Sequence, residues 1–212
     1  MKQILNYLSA TYWKLTKDAK NFVLEKTDEF QVTKSEVLHT EGTVCDYVWF
    51  VKKGMLRSFQ RDPTGGKKIY SNWFMTELNV ATSVLSFFWQ IKSEEGIDAQ
   101  EDSVVFRMSR KDLFEGIEQY PCLALVTLMM VIKYYCDTRL NETYLRMKRP
   151  EYIHKFLMEH DPELLSRVPE GMMALFLGVS GPKYREIKSG KVWEEKEKKS
   201  KGKATKTKKN RK

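Results

Sequence analysis

"YVWFVKKGMLRSFQRD", Tyr47 to Asp62, sets two runs of β-branched and aromatic residues on either side of "KKG". Such runs read as strands, and the glycine after two lysines reads as the turn between them. Extending the window to Ser35–Phe74, "SEVLHTEGTVCDYVWFVKKGMLRSFQRDPTGGKKIYSNWF", adds "EG" and "DPTGG", which is the chemistry of turns and hairpins. Short strands at this spacing predict a small antiparallel barrel or sandwich. Downstream, "TELNVATSVLSFFWQIKSEEG" interrupts the strands with a mostly helical or irregular excursion, and "IDAQEDSVVFRMS" returns to strand character. An insertion of that kind inside an all-β unit is a natural pocket wall.

The flanks are helical. From about Gln3 to Phe30 apolar residues recur at three- and four-residue steps, which predicts one or two helices. Ser109, with Asp112 three residues on, reads as the N-cap of a short helix, "RKDLFEGIEQY". Pro121 can open the next and longest helix, about Pro121 to Met147, whose first half "CLALVTLMMVIKYY" is apolar almost all round. One apolar face suffices to pack on the barrel. A second, with Leu125, Leu128, Ile132 and Tyr135, fits a partner helix from another subunit; the alternative is a helix buried within one monomer. In "RMKRPEY" Pro150 either breaks this helix or starts the next, which makes it the best domain boundary. Three short helical segments follow, "EYIHKFLMEH", "EGMMALFLG" and "PKYREIKSG", a set that suits a small DNA-binding or docking module.

Within that module, "MALFLGVSGPKYREIKSG" has the outline of a helix, a tight turn and a second helix. Ala174 provides a small residue where two helices approach, Gly178 can take the positive φ of the turn, and Val179, Tyr184 and Ile187 lock the second helix on the first. Ser180 can cap the second helix with Pro182 in its first turn, although the cap can also fall one residue later. Tyr184 and Ile187 facing inward turn Gly181, Pro182, Arg185, Glu186 and Ser189 outward, with Lys183, Lys188 and Lys191 near the edges. Arg185 is the one strong candidate for bidentate contact with guanine, and Ser180, Lys183, Arg185, Lys188 and Lys191 form the candidate DNA-binding set. Glu186 can accept from cytosine but repels phosphate. The alternative is a helical hairpin that packs or binds protein.

Composition bounds the rest. Of 212 residues 42% are hydrophobic and 12% aromatic, enough for packed cores. Lys188 to Lys212 holds 12 lysines and arginines against Glu194, Glu195 and Glu197, so the whole net charge of +9 falls there. Residues 191–212 have almost no apolar side chain beyond Trp193 and are expected to be a disordered basic tail. Such a tail binds phosphate backbones without reading sequence, or simply aids solubility. No run of about 18 apolar residues occurs, and the N-terminal stretch lacks a signal peptide's features, which predicts a cytoplasmic protein without a membrane partner. Cys45, Cys122 and Cys136 are far apart and are expected to be reduced packing residues; His39, His154 and His160 lack metal-ligand spacing. No metal, cofactor or catalytic residue is expected, and "DPTGGKK" lacks the spacing and the Ser/Thr of a P-loop. An enzyme is the least favoured class.

Three passages together, "YVWFVKKGMLRSFQRD", "AQEDSVVFRMSRKDLFEGIEQYP" and "RPEYIHKFLMEHDPELLSRVPEGMMALFLGVS", give the chain its likeness. It resembles the Crp/Fnr family of bacterial transcription regulators, in particular the short members of Bacteroidetes-type bacteria, over about residues 5 to 190. The resemblance implies an α+β chain. Residues 1–120 would be an N-terminal antiparallel β-roll, jelly-roll-like with the cyclic-nucleotide-binding-domain fold. Residues 121–147 would be a long dimerisation helix, and 148–190 a C-terminal all-α helix-turn-helix domain. It also implies a homodimer on a near-palindromic operator in double-stranded DNA, with RNA polymerase as a further partner.

Two departures narrow the likeness. Members that bind cyclic AMP carry a Gly-Glu pair and then Arg-Ser or Arg-Thr followed by Ala; here Thr76-Glu77-Leu78 keeps only the glutamate, and Ser93, Glu94 and Glu95 stand where the arginine pair would fall. Cyclic AMP is therefore not the expected effector. Haem and iron–sulfur sensing, known in other members, find no matching ligands. Another small molecule could occupy the roll near Glu77, Thr82, Ser83 and Ser93, or Val80, Leu85, Phe87, Phe88 and Trp89 fill it. In the reading helix the family usually has arginine at the position of Glu186 and polar residues at Gly181 and Pro182, and "KVWEEKEKKSKGK" replaces the wing hairpin. A transcription regulator is the leading reading. A small-molecule-binding or protein-docking module of the same fold, without sequence-specific DNA reading, is the alternative.

Overall fold

The computed structural model of the chain describes residues 1–66 and 68–191; of the predicted basic tail, residues 192–212 lie outside the described residues. The two runs around Gly54 form β3 (Tyr47–Lys53) and β4 (Leu56–Arg61). They do not pair. β3 belongs to a four-stranded antiparallel sheet in which β1 (Asp28–Val32), β8 (Ser103–Ser109), β3 and β6 (Val80–Ala81) lie in that order. β4 belongs to a second, β2 (Val37–His39), β7 (Gly96–Ala99), β4 and β5 (Ile69–Met75). The predicted turn at "KKG" is thus a corner at which the chain changes sheet, whereas "DPTGG" is the turn of a true hairpin, β4 against β5. There the Asp62 carboxylate accepts from the backbone N–H of Thr64 at 2.9 Å and from its hydroxyl at 2.6 Å.

Successive side chains of a strand point to opposite faces, so four consecutive buried positions in β3, Val48 to Val51, mean that both faces are covered. They share one core with Leu56, Ile97 and Val105 of the roll, with Ile4 and Leu8 of α1 (Lys2–Thr11), and with Ala19 and Val23 of α2 (Lys17–Glu25). Leu123 and Val126 of the long helix join it. The helix predicted from Ser109 is present as α4 (Arg110–Gln119), after the short α3 (Val84–Trp89), and Ser109 accepts from the Asp112 N–H at 3.1 Å. The long helix is α5 (Pro121–Arg146). Among the described residues it is the one helix long and apolar enough to cross a membrane by length and composition, yet it carries the Lys133–Asp137 ion pair midway and places Leu123 and Val126 in the roll's core.

The chain divides into two compact units, Met1–Thr138 and the residues from Arg139 on, so the division falls inside α5. Pro150 starts a helix, α6 (Pro150–His160), and does so in its first turn, where a missing N–H costs nothing. Among the described residues four helices follow the joint, where the sequence suggested three. The additional one is α7 (Pro162–Arg167), too short to show periodicity but opened by Asp161, which accepts from the Leu164 N–H at 3.1 Å. Then come α8 (Glu170–Phe176) and α9 (Gly181–Lys188).

Gly54 makes the corner possible. Its φ is +102°, and a Cβ built there would lie 2.1 Å from Ser103 Oγ and 2.7 Å from Ser103 Cα. The contact is with backbone as well as side chain, so no rotamer relieves it. Gly54→Ala is expected to lower the stability of the roll by at least about 2 kcal/mol, read as a fall in the urea midpoint. A midpoint unchanged by that substitution would mean the corner can open.

Candidate functional site

The predicted pocket residues do not all face one cavity. The Glu77 carboxylate, on the turn between β5 and β6, accepts from the Gly54 N–H at 2.8 Å and so braces the corner. Thr82 donates to the Tyr47 carbonyl at 3.0 Å and lies 3.5 Å from Cys45 Sγ. Ser83 and Ser93 do meet: both are buried, with their hydroxyl oxygens 2.9 Å apart. Ser93 Oγ also accepts from the Glu95 N–H at 3.1 Å and lies 2.7 Å from the Glu95 carbonyl. Of the apolar residues expected to fill the roll, Phe87 is buried at 1% exposure, while Leu85 and Trp89 are exposed at 61% and 75%.

Glu95 is the residue the sequence passed over. Its side chain is half-buried. Asn72 donates to the carboxylate at 3.4 Å. Burial outweighs the nearby polar side chains of Asn72, Ser83 and Ser58, which favour the charged form, and pushes the carboxyl above its ordinary value of 4.5. Among the described residues no Lys, Arg or His lies within ion-pair distance of it. Its charge reaches α5, where burial first and Glu95 second raise the pKa of Tyr134. The signal was in the sequence as "SEEG" but was read as a missing arginine, not as a carboxylate facing inward.

A neighbouring polar pair is already satisfied. Arg57 Nε donates to Asp98 at 3.0 Å, and its Nη1 lies 3.5 Å from Ser71 Oγ, all three residues being buried. This guanidinium is committed to Asp98. Among the described residues there is no group of three or more His, Cys, Asp or Glu that could hold a metal, and the three cysteines are free: Cys45 buried, Cys122 half-buried, Cys136 exposed.

In the second unit, α8 and α9 are joined by a tight turn with Gly178 at φ +64°. Ala174, Tyr184 and Ile187 are buried, at 3%, 2% and 2% exposure. His154 of α6 packs its ring edge-on to Tyr184 at 5.7 Å, and burial, with Lys188 adding to it, lowers its pKa and keeps the ring neutral at pH 7. Ser180 caps α9 by accepting from the Lys183 N–H at 3.4 Å, which fixes the cap at the first of the two positions the sequence allowed. Gly181, Pro182, Arg185, Glu186 and Ser189 are exposed as expected. Lys183 is held by Glu186 at 2.8 Å and Lys188 by Glu170 at 2.8 Å, whereas Arg185 and Lys191 have no ion-pair partner among the described residues. A shallow cleft of about 390 Å³ lined by Tyr144, Met147, Arg149 and Tyr152 also lies in this unit, and none of the residues singled out above lines it.

On α5, Leu125, Leu128, Met129, Ile132 and Tyr135 are exposed, at 36% to 62%. They occupy the side of the helix away from Leu123 and Val126.

Residues 29–120 match the cyclic nucleotide-binding domain family. The roll carries the cyclic nucleotide-binding fold. Solved structures extend the likeness into the helices beyond it. A Crp/Fnr-family transcriptional regulator of Eubacterium rectale is 16% identical with a TM-score of 0.62, 84% of each chain being covered. FixK2 of Bradyrhizobium japonicum is 18% identical with a TM-score of 0.63, covering 77% of this chain and 83% of its own. The catabolite activator protein of Thermus thermophilus is 15% identical with a TM-score of 0.53, covering 88% and 87%. No curated protein sequence matches the chain. The antiparallel roll followed by a helical C-terminal region is therefore the architecture of Crp/Fnr regulators.

Glu95 sets a pH dependence. A carboxyl whose folded pKa is raised holds its proton more tightly in the fold, so its stabilising contribution is full below 4.5 and is lost as the pH rises through the raised value. Glu95→Gln is expected to remove that part of the decline, giving a flatter melting temperature from pH 4.5 to 7 by circular dichroism. An unchanged slope would mean that the carboxyl is solvated.

Proposed function

We propose that the protein is a cytoplasmic, non-enzymatic transcription regulator of the Crp/Fnr type that works as a homodimer. In this reading α5 pairs the subunits and α8–α9 is a helix-turn-helix that reads DNA. The observation that carries it is α9 itself: a helix capped by Ser180, locked by two buried side chains, that presents Arg185 outward without an ion-pair partner among the described residues. An unpaired guanidinium on an exposed helix face is the group suited to bidentate contact with guanine O6 and N7. Ser180 and Lys191 flank it, while Lys183 and Lys188 must exchange Glu186 and Glu170 for phosphate. The basic C-terminal sequence adds salt-sensitive affinity.

The exposed side of α5 supports the dimer. Leu125, Leu128, Ile132 and Tyr135 recur at three- and four-residue steps, the pattern that fits a second copy of the same helix. Cys136, exposed, falls on this side by helical spacing. An effector in the roll would act by changing how two such helices meet, and so the spacing of two reading helices about 34 Å apart. Cyclic AMP is not that effector in this reading, because its phosphate would face Glu95. RNA polymerase is a partner in keeping with the architecture.

Selection from random DNA at about physiological salt tests the reading, with the full chain and a version ending at Gly190. Both are expected to enrich one inverted repeat, and Arg185→Ala to lose roughly 1–3 kcal/mol of discrimination at one base pair per half-site. In solution the protein is expected at twice its chain mass by light scattering, with Cys136 crosslinked by a short bismaleimide, and Ile132→Glu at the single mass. A second reading has an observation of its own. Gly181 and Pro182 offer no side-chain donor, and Lys183, Glu186 and Lys188 are engaged in ion pairs. If truncation abolishes DNA binding and neither version enriches a motif, the protein is a docking or small-molecule-binding module of the same fold.

A further inference from the structure

The end of α5 and the start of α6 border the cleft of about 390 Å³ lined by Tyr144, Met147, Arg149 and Tyr152, all in the second unit. The chain builds it locally. Lys148 takes φ +55°, its N–H donates to the Leu145 carbonyl at 2.9 Å, and the Arg149 N–H donates to the Tyr144 carbonyl at 2.8 Å. Such a pair of bonds turns a chain off the end of a helix. Pro150 starts α6 at once, and Tyr152, two residues on, comes back to Tyr144. Their rings stack, with centroids 5.4 Å apart and planes 18° from parallel. Tyr152 is 38% exposed and Met147 63%, so a wall of ring and thioether faces solvent. The charge beside it is positive. Arg149 is exposed, and its ion pair with the buried Glu151, at 3.7 Å, is longer than a hydrogen bond. Lys148, also exposed, has no ion-pair partner among the described residues.

We infer that this cleft binds a small aromatic carboxylate, its ring laid on the tyrosine pair and its carboxylate on Arg149. The site lies outside the roll, so the inference goes beyond the reading above and does not depend on it. Two stacked phenols offer a further ring an offset contact, and a thioether packs favourably against a ring, which an aliphatic chain does not match. The anion is selected by Arg149, whose guanidinium presents a fork of N–H donors that fits a carboxylate, with Lys148 adding charge. An ammonium ion of the same size meets both cations. The volume falls at the low end of the roughly 300–1,000 Å³ of small-molecule sites and suits one or two fused rings.

The test titrates the full chain by isothermal calorimetry at pH 7 and low salt. Three compounds share one ring system: indole-3-acetate, its neutral counterpart indole-3-ethanol, and the ammonium ion of indole-3-ethylamine. Cyclohexylacetate is the anion without an aromatic ring. Indole-3-acetate is expected to bind at least about threefold more tightly than the alcohol or cyclohexylacetate, and the ammonium ion not to bind. Arg149→Gln is expected to remove the preference for carboxylate over alcohol. Met147→Glu, which sets a like charge on the wall, is expected to weaken indole-3-acetate at least about fivefold. Both positions are exposed, and both melting temperatures are expected to be unchanged. Tyr152→Leu is expected to bring indole-3-acetate down to the level of cyclohexylacetate. Absence of indole-3-acetate binding, equal binding of cyclohexylacetate, or tighter binding of the ammonium ion would each overturn the inference. So would an affinity unmoved by Arg149→Gln and Met147→Glu, which would put the anion on the basic C-terminal sequence instead.

Discussion

Helix α5 is apolar on two sides, and the first unit covers only one of them. Leu123 and Val126 enter the core shared by both sheets and by α1 and α2, while Leu125, Leu128, Ile132 and Tyr135 remain in solvent. A buried aliphatic side chain contributes roughly 1.5–3 kcal/mol relative to an exposed one, so the two sides differ sharply in what they give a single chain. The buried side fixes where the helix leaves the roll. The exposed side leaves apolar surface that the first unit does not cover, and the proposed dimer is the arrangement that covers it with residues of the chain's own sequence.

Charge follows a similar division between answered and unanswered groups. Arg57 and Asp98 answer each other in the second sheet; Lys183 with Glu186, and Lys188 with Glu170, do so around α9. Among the described residues, Glu94 and Glu95 in the roll and Arg185 and Lys191 in the second unit stand outside this pairing. An exposed unpaired arginine costs little, because water solvates it, and it is ready for a partner. A half-buried unpaired carboxylate is costly, and its pKa rises in consequence. The arginine is a group held in reserve for a surface.

Much of this was legible in the sequence, and the exceptions have physical reasons. Strand runs, the Ser109 cap, Pro121, the two-sided long helix and the inward Tyr184 and Ile187 follow from periodicity and capping, which are local. The corner at Gly54 was visible as a turn but not as a change of sheet, because what demands glycine there is Ser103, 49 positions along the chain. Helix α7 has six residues, fewer than two turns, so no periodic pattern could announce it. Glu77 was placed near a possible pocket by the family likeness; that its carboxylate accepts from the Gly54 N–H and braces the corner had no signal in the sequence. Glu95 was seen only as the absence of an arginine; that it lies beside Asn72 depends on the pairing of β7 with β4 and of β4 with β5, which no local signal encodes.

The same pairing depends on how closely two strands approach. Glu95 immediately precedes β7, and Gly96, the first residue of that strand, lies against the Phe59 ring so closely that a Cβ there would fall 2.5 Å from it. Gly96 thereby lets the start of β7 lie tight against β4. Arg57 and Ser58 are adjacent on β4, and their side chains leave the strand on opposite faces. Arg57 meets Asp98, its partner across β4 and β7, and the alternation of the strand therefore commits the guanidinium to that face of the sheet.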